Sequence, residues 1–128
     1  MRRKLLVLVM AAIPLLVGVV WTEARAAAQR DTIVGEVIDV AGYAMRDARG
    51  PEEADAGQYH ADNGFPVGIL EEDGTVWIAV YRNPAPASGL ETANQLLSPL
   101  MGKEVVVQGK KYSKAGVNLI EIAIVGEV

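Results

Sequence analysis

His60 is the only histidine among 128 residues, and cysteine is absent. Thiolate nucleophiles, disulfide frameworks, Cys-ligated zinc and iron–sulfur clusters are therefore excluded at the outset. The imidazole itself is suited to metal ligation or to proton transfer near neutral pH. Glu53, Asp55 and Asp62 lie close to it in sequence. On a helix, however, side chains face one another at spacings of three and four, and Ala56 and Gly57 fill those places one turn back. A strong transition-metal site draws on several ligands, so His60 alone is a weak metal candidate. No resident metal or cofactor is expected.

Trp77 and Tyr81 share one face of an alternating segment and could offer flat rings to a base or a sugar. Packing is the commoner use of such aromatics. Lys110, Lys111 and Lys114 form a basic run that could meet phosphate or anionic lipid headgroups, although a solvated turn explains it equally. Catalytic patterns are missing: there is no Gly-x-Ser-x-Gly elbow and no phosphate-cradling glycine loop. Ser88 fits a helix cap, while Glu52-Glu53 and Glu71-Glu72 fit a helix start and a turn. A non-catalytic protein is expected.

The elements that must position these residues follow from periodicity. Residues 32–40 are β-branched and free of proline, which predicts a first strand, with Gly35 marking a bulge or tight bend. Residues 66–71 and 75–81 are a second and a third strand, joined through Glu72-Asp73-Gly74. A Pro-rich break at 83–86 precedes Ser88-Gly89-Leu90-Glu91, a capping box that opens a helix with Leu90, Ala93, Leu97 and Leu100 on one side. Pro99 bends or ends that helix, and Gly102 closes it. Residues 103–110 and 117–125 are the last two strands, joined by 111–116. Between the first two strands, residues 41–65 form a long insertion. Pro51, its following acids and the Asn63-Gly64 stop predict a short helix over 51–62 within it.

The N-terminus has its own logic. Arg2, Arg3 and Lys4 precede a 17-residue apolar run over 5–21 and an Ala24-Arg25-Ala26 site, the form of a secretory signal peptide. The run is at the lower limit for spanning a bilayer and contains Pro14 and Gly18, so an uncleaved anchor is the alternative. The expected organisation is a signal at 1–26, a linker at 27–31 and a domain at 32–128, periplasmic or secreted, or held outside the inner membrane by the anchor. Loss of residues 1–26 removes four basic side chains and one acidic one from the 12 and 16 of the whole chain. The remainder has 8 against 15, a net charge of -7, and such a surface repels nucleic-acid phosphates. No nucleic-acid partner is expected, and membrane contact only through the N-terminal segment.

The resulting fold class is all-β with one or two short helices: a five-stranded OB-fold-like barrel, β-β-β-α-β-β, after the signal segment. Gly102-Lys103-Glu104-Val105-Val106-Val107-Gln108-Gly109 resembles the Gly-Lys-x-Val-x-Val-x-Gly ending of many OB-like domains. The wider set Gly35-Glu36-Val37-Ile38-Asp39, Gly42-Tyr43, Gly50 and Gly64-Phe65-Pro66-Val67-Gly68-Ile69-Leu70 resembles a group of small exported bacterial OB-like domains of uncertain function. That group has cysteines where Gly42, Ala56 and His60 stand here, so a thiol-dependent role does not carry over. The resemblance implies the fold, the exported setting and a pocket near Tyr43 and His60. The expected function is an exported binding or interaction module of the bacterial envelope. Its expected contacts are Trp77, Tyr81, Tyr43, Tyr59 and His60, and its ligand an envelope protein, a glycan or a small molecule. The alternatives are a metal or cofactor accessory protein using His60 and, third, a small enzyme of unknown type.

Overall fold

β-Branched runs separated by glycine turns form five strands in the computed structural model, which describes residues 30–81 and 92–128. They are β1 (Asp31–Asp39), β2 (Val67–Glu71), β3 (Val76–Val80), β4 (Glu104–Lys114) and β5 (Val117–Glu127). The signal segment, residues 27–29 of the linker, the Pro-rich break and the Ser88 capping box lie outside the described residues. The helices are α1 (Val40–Arg46), α2 (Ala54–Asp62), preceded by a 3-10 turn at Pro51–Glu53, and α3 (Ala93–Leu97), continued by a 3-10 turn at Ser98–Leu100. Thr92 caps α3, its hydroxyl accepting from the Gln95 N–H at 3.3 Å.

Strands pair in the order β1-β2-β3-β5-β4, and β4 pairs back to β1, so the sheet closes on itself. β1 makes closure possible by serving two partners. Its first part, from Asp31 to Glu36, runs antiparallel to β4, and its second, from Gly35 to Asp39, runs antiparallel to β2. β3 and β5 meet in parallel through Ile78↔Leu119, Ala79↔Ile120 and Val80↔Glu121. Alternation turns Ile33, Val37, Ile69, Ala79, Val105, Val107, Ile120 and Ile122 into one core, which Ala61, Ala93, Leu97 and Met101 complete from the insertion and from α3 with the turns after it.

Two differences from the sequence reading concern length. Residues 40–46 are helical where the last residue of the first strand and a loop were expected, and β4 and β5 run four and two residues further than 110 and 125. The basic segment 111–114 continues the ladder, because only Ala115 and Gly116 are needed to reverse the chain, at φ 52° and 84°. The β2–β3 turn is pinned instead by its aspartate. The Thr75 N–H donates to Asp73 Oδ1 at 2.9 Å, and this backbone bond holds the Asp73 carboxyl below its ordinary range. Its support for the folded hairpin is present above the ordinary carboxylate range and is lost as pH falls through the lowered value.

Gly35 sits where β1 serves both neighbours, and a Cβ there would lie 2.3 Å from the Leu70 carbonyl oxygen. Gly35→Ala is expected to lower stability by about 1–3 kcal/mol through this overlap. Gly126→Ala, which meets open space, should be neutral or slightly stabilising in the same thermal melts.

Candidate functional site

Strand alternation places Asp39 on the face of β1 that carries Ile33 and Val37, at the end where β1 has left β4 and pairs only with Val67 of β2. Its side chain is 6% exposed. Although Asp39 stands at the N-cap position of α1, its carboxylate caps no helical N–H. It accepts instead from His60 Nδ1 of α2 at 2.6 Å. The second oxygen, Oδ1, is buried without a hydrogen-bond partner among the described residues. An acceptor buried without any partner costs about 1–3 kcal/mol.

The surrounding chain is built around this carboxylate. A Cβ on Gly42 would lie 2.7 Å from Asp39 Oδ2 and 3.4 Å from the Ala48 Cβ, so α1 can pass here only as glycine. α1 ends at Asp47 in the left-handed conformation, and the chain then turns at Gly50, whose N–H donates to Glu36 Oε2 at 3.1 Å. Pro51 opens the turn into α2, as its acids and fixed φ predict. α2 is held on its far side by α3: Asn94 Nδ2 donates to the Ala61 and Phe65 carbonyls, each at 2.8 Å, and the Ser98 hydroxyl donates to Asp62 Oδ1 at 2.5 Å. Gly57 lets Met101 press against the same helix. A void of about 10 Å³ remains beside Asp39, bordered also by Arg46, Ala48, Arg49 and Glu53.

Among the described residues His60 thereby has one nitrogen committed, to Asp39, and the other without a hydrogen bond. A carboxylate only accepts, so Nδ1 holds a proton, and the Nε2 lone pair is the one a neutral ring offers. The His60 side chain is 34% exposed. Because Nδ1 faces a buried carboxylate, that exposure belongs to the opposite edge. Phe65 and Tyr59 flank the ring at centroid distances of 5.2 and 6.1 Å, both tilted, and are themselves 48% and 68% exposed. Phe65 is placed by its own N–H, which donates to the His60 carbonyl at 3.1 Å beyond Gly64.

The residues expected to act together are not gathered in one place: Trp77 stands on β3 opposite Ile69. Tyr59 and His60 are neighbours on α2, and Tyr43 is half-buried on α1, the helix that carries Gly42 against Asp39. Trp77 lies elsewhere. It is buried in the core, its Nε1 donates to Glu71, and Lys111 Nζ sits 4.8 Å over its ring. Glu71 pairs with Gly35, at the end opposite to Asp39. Trp77 therefore presents no open ring face, and Tyr81 packs half-buried against the same core. Lys110 is likewise engaged, 5.1 Å over Tyr112. Ala56 contributes no donor, Glu53 meets Arg46 at 3.9 Å, and Asp62 is taken by Ser98. Among the described residues no group of three metal-ligating side chains gathers.

Asp39 and Phe65 are the members that sequence reasoning passed over. Asp39 ends an apolar strand 21 positions from His60, and no helical or strand period links the two. Gly42→Ala tests the constellation. Alanine normally improves a helix by up to about 1 kcal/mol over glycine. Here it is expected to destabilise by about 1 kcal/mol or more in chemical denaturation, because it displaces the Asp39 carboxylate. The 15N resonances of the single imidazole should lose the signature of a protonated, hydrogen-bonded Nδ1 in the same variant. No protein-family model, curated protein or solved structure matches this chain.

Proposed function

We propose that the chain is an exported, non-catalytic binding module with an OB-fold-like barrel, and that it binds through the outward edge of its β1–β2 insertion. The strand order with a parallel β3·β5 contact and a helix between β3 and β4 supports the OB-like reading. In that architecture the β1–β2 connection is one of the loops that meet ligands. The basic start, apolar run and small-residue site support export. The observation that carries the binding reading is His60, fixed by buried Asp39 and flanked by exposed Tyr59 and Phe65.

That placement moves the ligand contact away from Trp77. A rigid, half-exposed imidazole between two aromatic rings gives a ligand one polar anchor and flat apolar contact, the usual division of labour in a small-ligand site. An acidic envelope domain has no need of a phosphate backbone as partner. A second reading, a metal or cofactor accessory role for His60, is favoured by one observation: metal-bound histidines characteristically donate their other ring N–H to a carboxylate, as His60 does to Asp39.

Native mass spectrometry of the full-length protein purified from bacterial envelopes tests the module reading. The expected result is a mature chain beginning near Ala27 with a bound mass that disappears when Tyr59 and Phe65 are both changed to serine. Retention of the same mass in that double variant, or turnover of an envelope substrate abolished by one polar substitution, overturns it.

A further inference from the structure

We propose that His60 Nε2 is the axial ligand for a metal centre that arrives with its other positions already filled, and that this ligand is a metalloporphyrin. The inference rests on the accessory reading of His60 and names its ligand class. The donor count is the first argument. Among the described residues no further histidine, aspartate or glutamate gathers with His60 to make a three-ligand site, so a bare ion would find one strong nitrogen and water. A macrocycle supplies the equatorial nitrogens itself and needs only one.

The second argument is electronic. An anionic hydrogen-bond acceptor on Nδ1 raises the donor strength of Nε2 and fixes the ring's tautomer and orientation. Asp39 is well placed for this, since it is 6% exposed, lies 2.6 Å from Nδ1 and has the room that Gly42 leaves it. The third argument is shape. Phe65 and Tyr59 both lie beside the imidazole with exposed rings, and a porphyrin coordinated at Nε2 covers apolar surface that a hydrated ion leaves wet.

The test titrates the full-length protein with ferric protoporphyrin IX, following the Soret band. Binding is expected to saturate at one equivalent with the spectrum of imidazole-ligated iron. His60→Asn keeps an amide N–H where Nδ1 donates but has no nitrogen at the Nε2 position, so it should lose that spectrum and bind about tenfold or more weakly. Asp39→Asn should retain ligation and raise the iron midpoint potential, because a neutral acceptor weakens the imidazole as a donor to ferric iron. A purely structural role for Asp39 would leave the potential unchanged.

A variant-free measurement guards against misfolding. With zinc protoporphyrin, which takes one axial ligand, the 15N signal of the only histidine should shift at Nε2 while Nδ1 stays protonated. An unmoved Nε2 signal, or an equal Soret change and affinity in a folded His60→Asn protein, overturns the proposal. So does tight one-to-one binding of bare copper(II) lost in His60→Asn, since that reveals a chelate. The module reading survives a failure here if the mass bound in envelope preparations is not a porphyrin but still depends on Tyr59 and Phe65.

Discussion

A carboxylate nearly stripped of solvent, with one oxygen bonded to an imidazole and the other to nothing described, is the constraint around which the insertion is arranged. Isolated charge in a low-dielectric surrounding is unfavourable by several kcal/mol unless it is paired and hydrogen-bonded. Among the described residues Asp39 has a single direct side-chain partner, and that partner comes from a separate helix. The position of α2 is therefore part of the solvation of Asp39. Removing His60 would leave a buried acid to face the core edge alone, and removing Asp39 would free the ring to rotate. Neither residue can be understood as a surface side chain.

The closed sheet explains why the pair forms at this point. A strand that closes a five-stranded ring must leave one neighbour for another, and β1 does so at Gly35 and Glu36, which appear in both ladders. Beyond that switch, Val37 still exchanges backbone bonds with Gly102 and Lys103, and only after it does β1 keep β2 as its one strand partner. Its last residues are then free to meet something other than a strand, and the Val40 N–H turns to the Pro66 carbonyl as α1 begins. Asp39 points along the inward face at this open corner. The insertion thus covers the place where the ladder is incomplete, and its helix brings Ala61 into the core and His60 to the carboxylate by the same packing.

Much of this was legible from the chain alone, for reasons that also mark the limit. Strand alternation, the Glu72-Asp73-Gly74 turn, and Pro51 with its acids and the Asn63-Gly64 stop are local signals, and each corresponds to an observed element. α1 is not locally encoded: seven residues beginning Val40-Ala41-Gly42 are too short and too poor in helix formers to stand alone, and packing around Asp39 fixes them. Lys110 to Lys114 read as a solvated turn because charge outweighed β propensity, whereas pairing with β5 decides the matter. Trp77 was visible as one face of an alternating strand. Which face of a strand becomes the interior depends on ring closure, a non-local fact, and closure put Trp77 inside.

The two supports of α2 differ in chemical kind, and that difference bears on function. On the α3 side, Asn94 bridges two carbonyls with a neutral amide while its own Oδ1 stays buried without a partner among the described residues. On the β1 side, the support is ionisable and ends at a half-exposed ring. A helix needed only for covering the core could have been held by apolar contacts such as Gly57 against Met101. Asp39 and Asn94 thus hold α2 from its two sides, one with a carboxylate and one with an amide. Asp39 fixes the orientation of the His60 ring through Nδ1, on a helix that Asn94 holds from the other side. A ligand then finds its anchor already ordered, and the entropy of fixing that side chain has been met in folding rather than at the moment of binding.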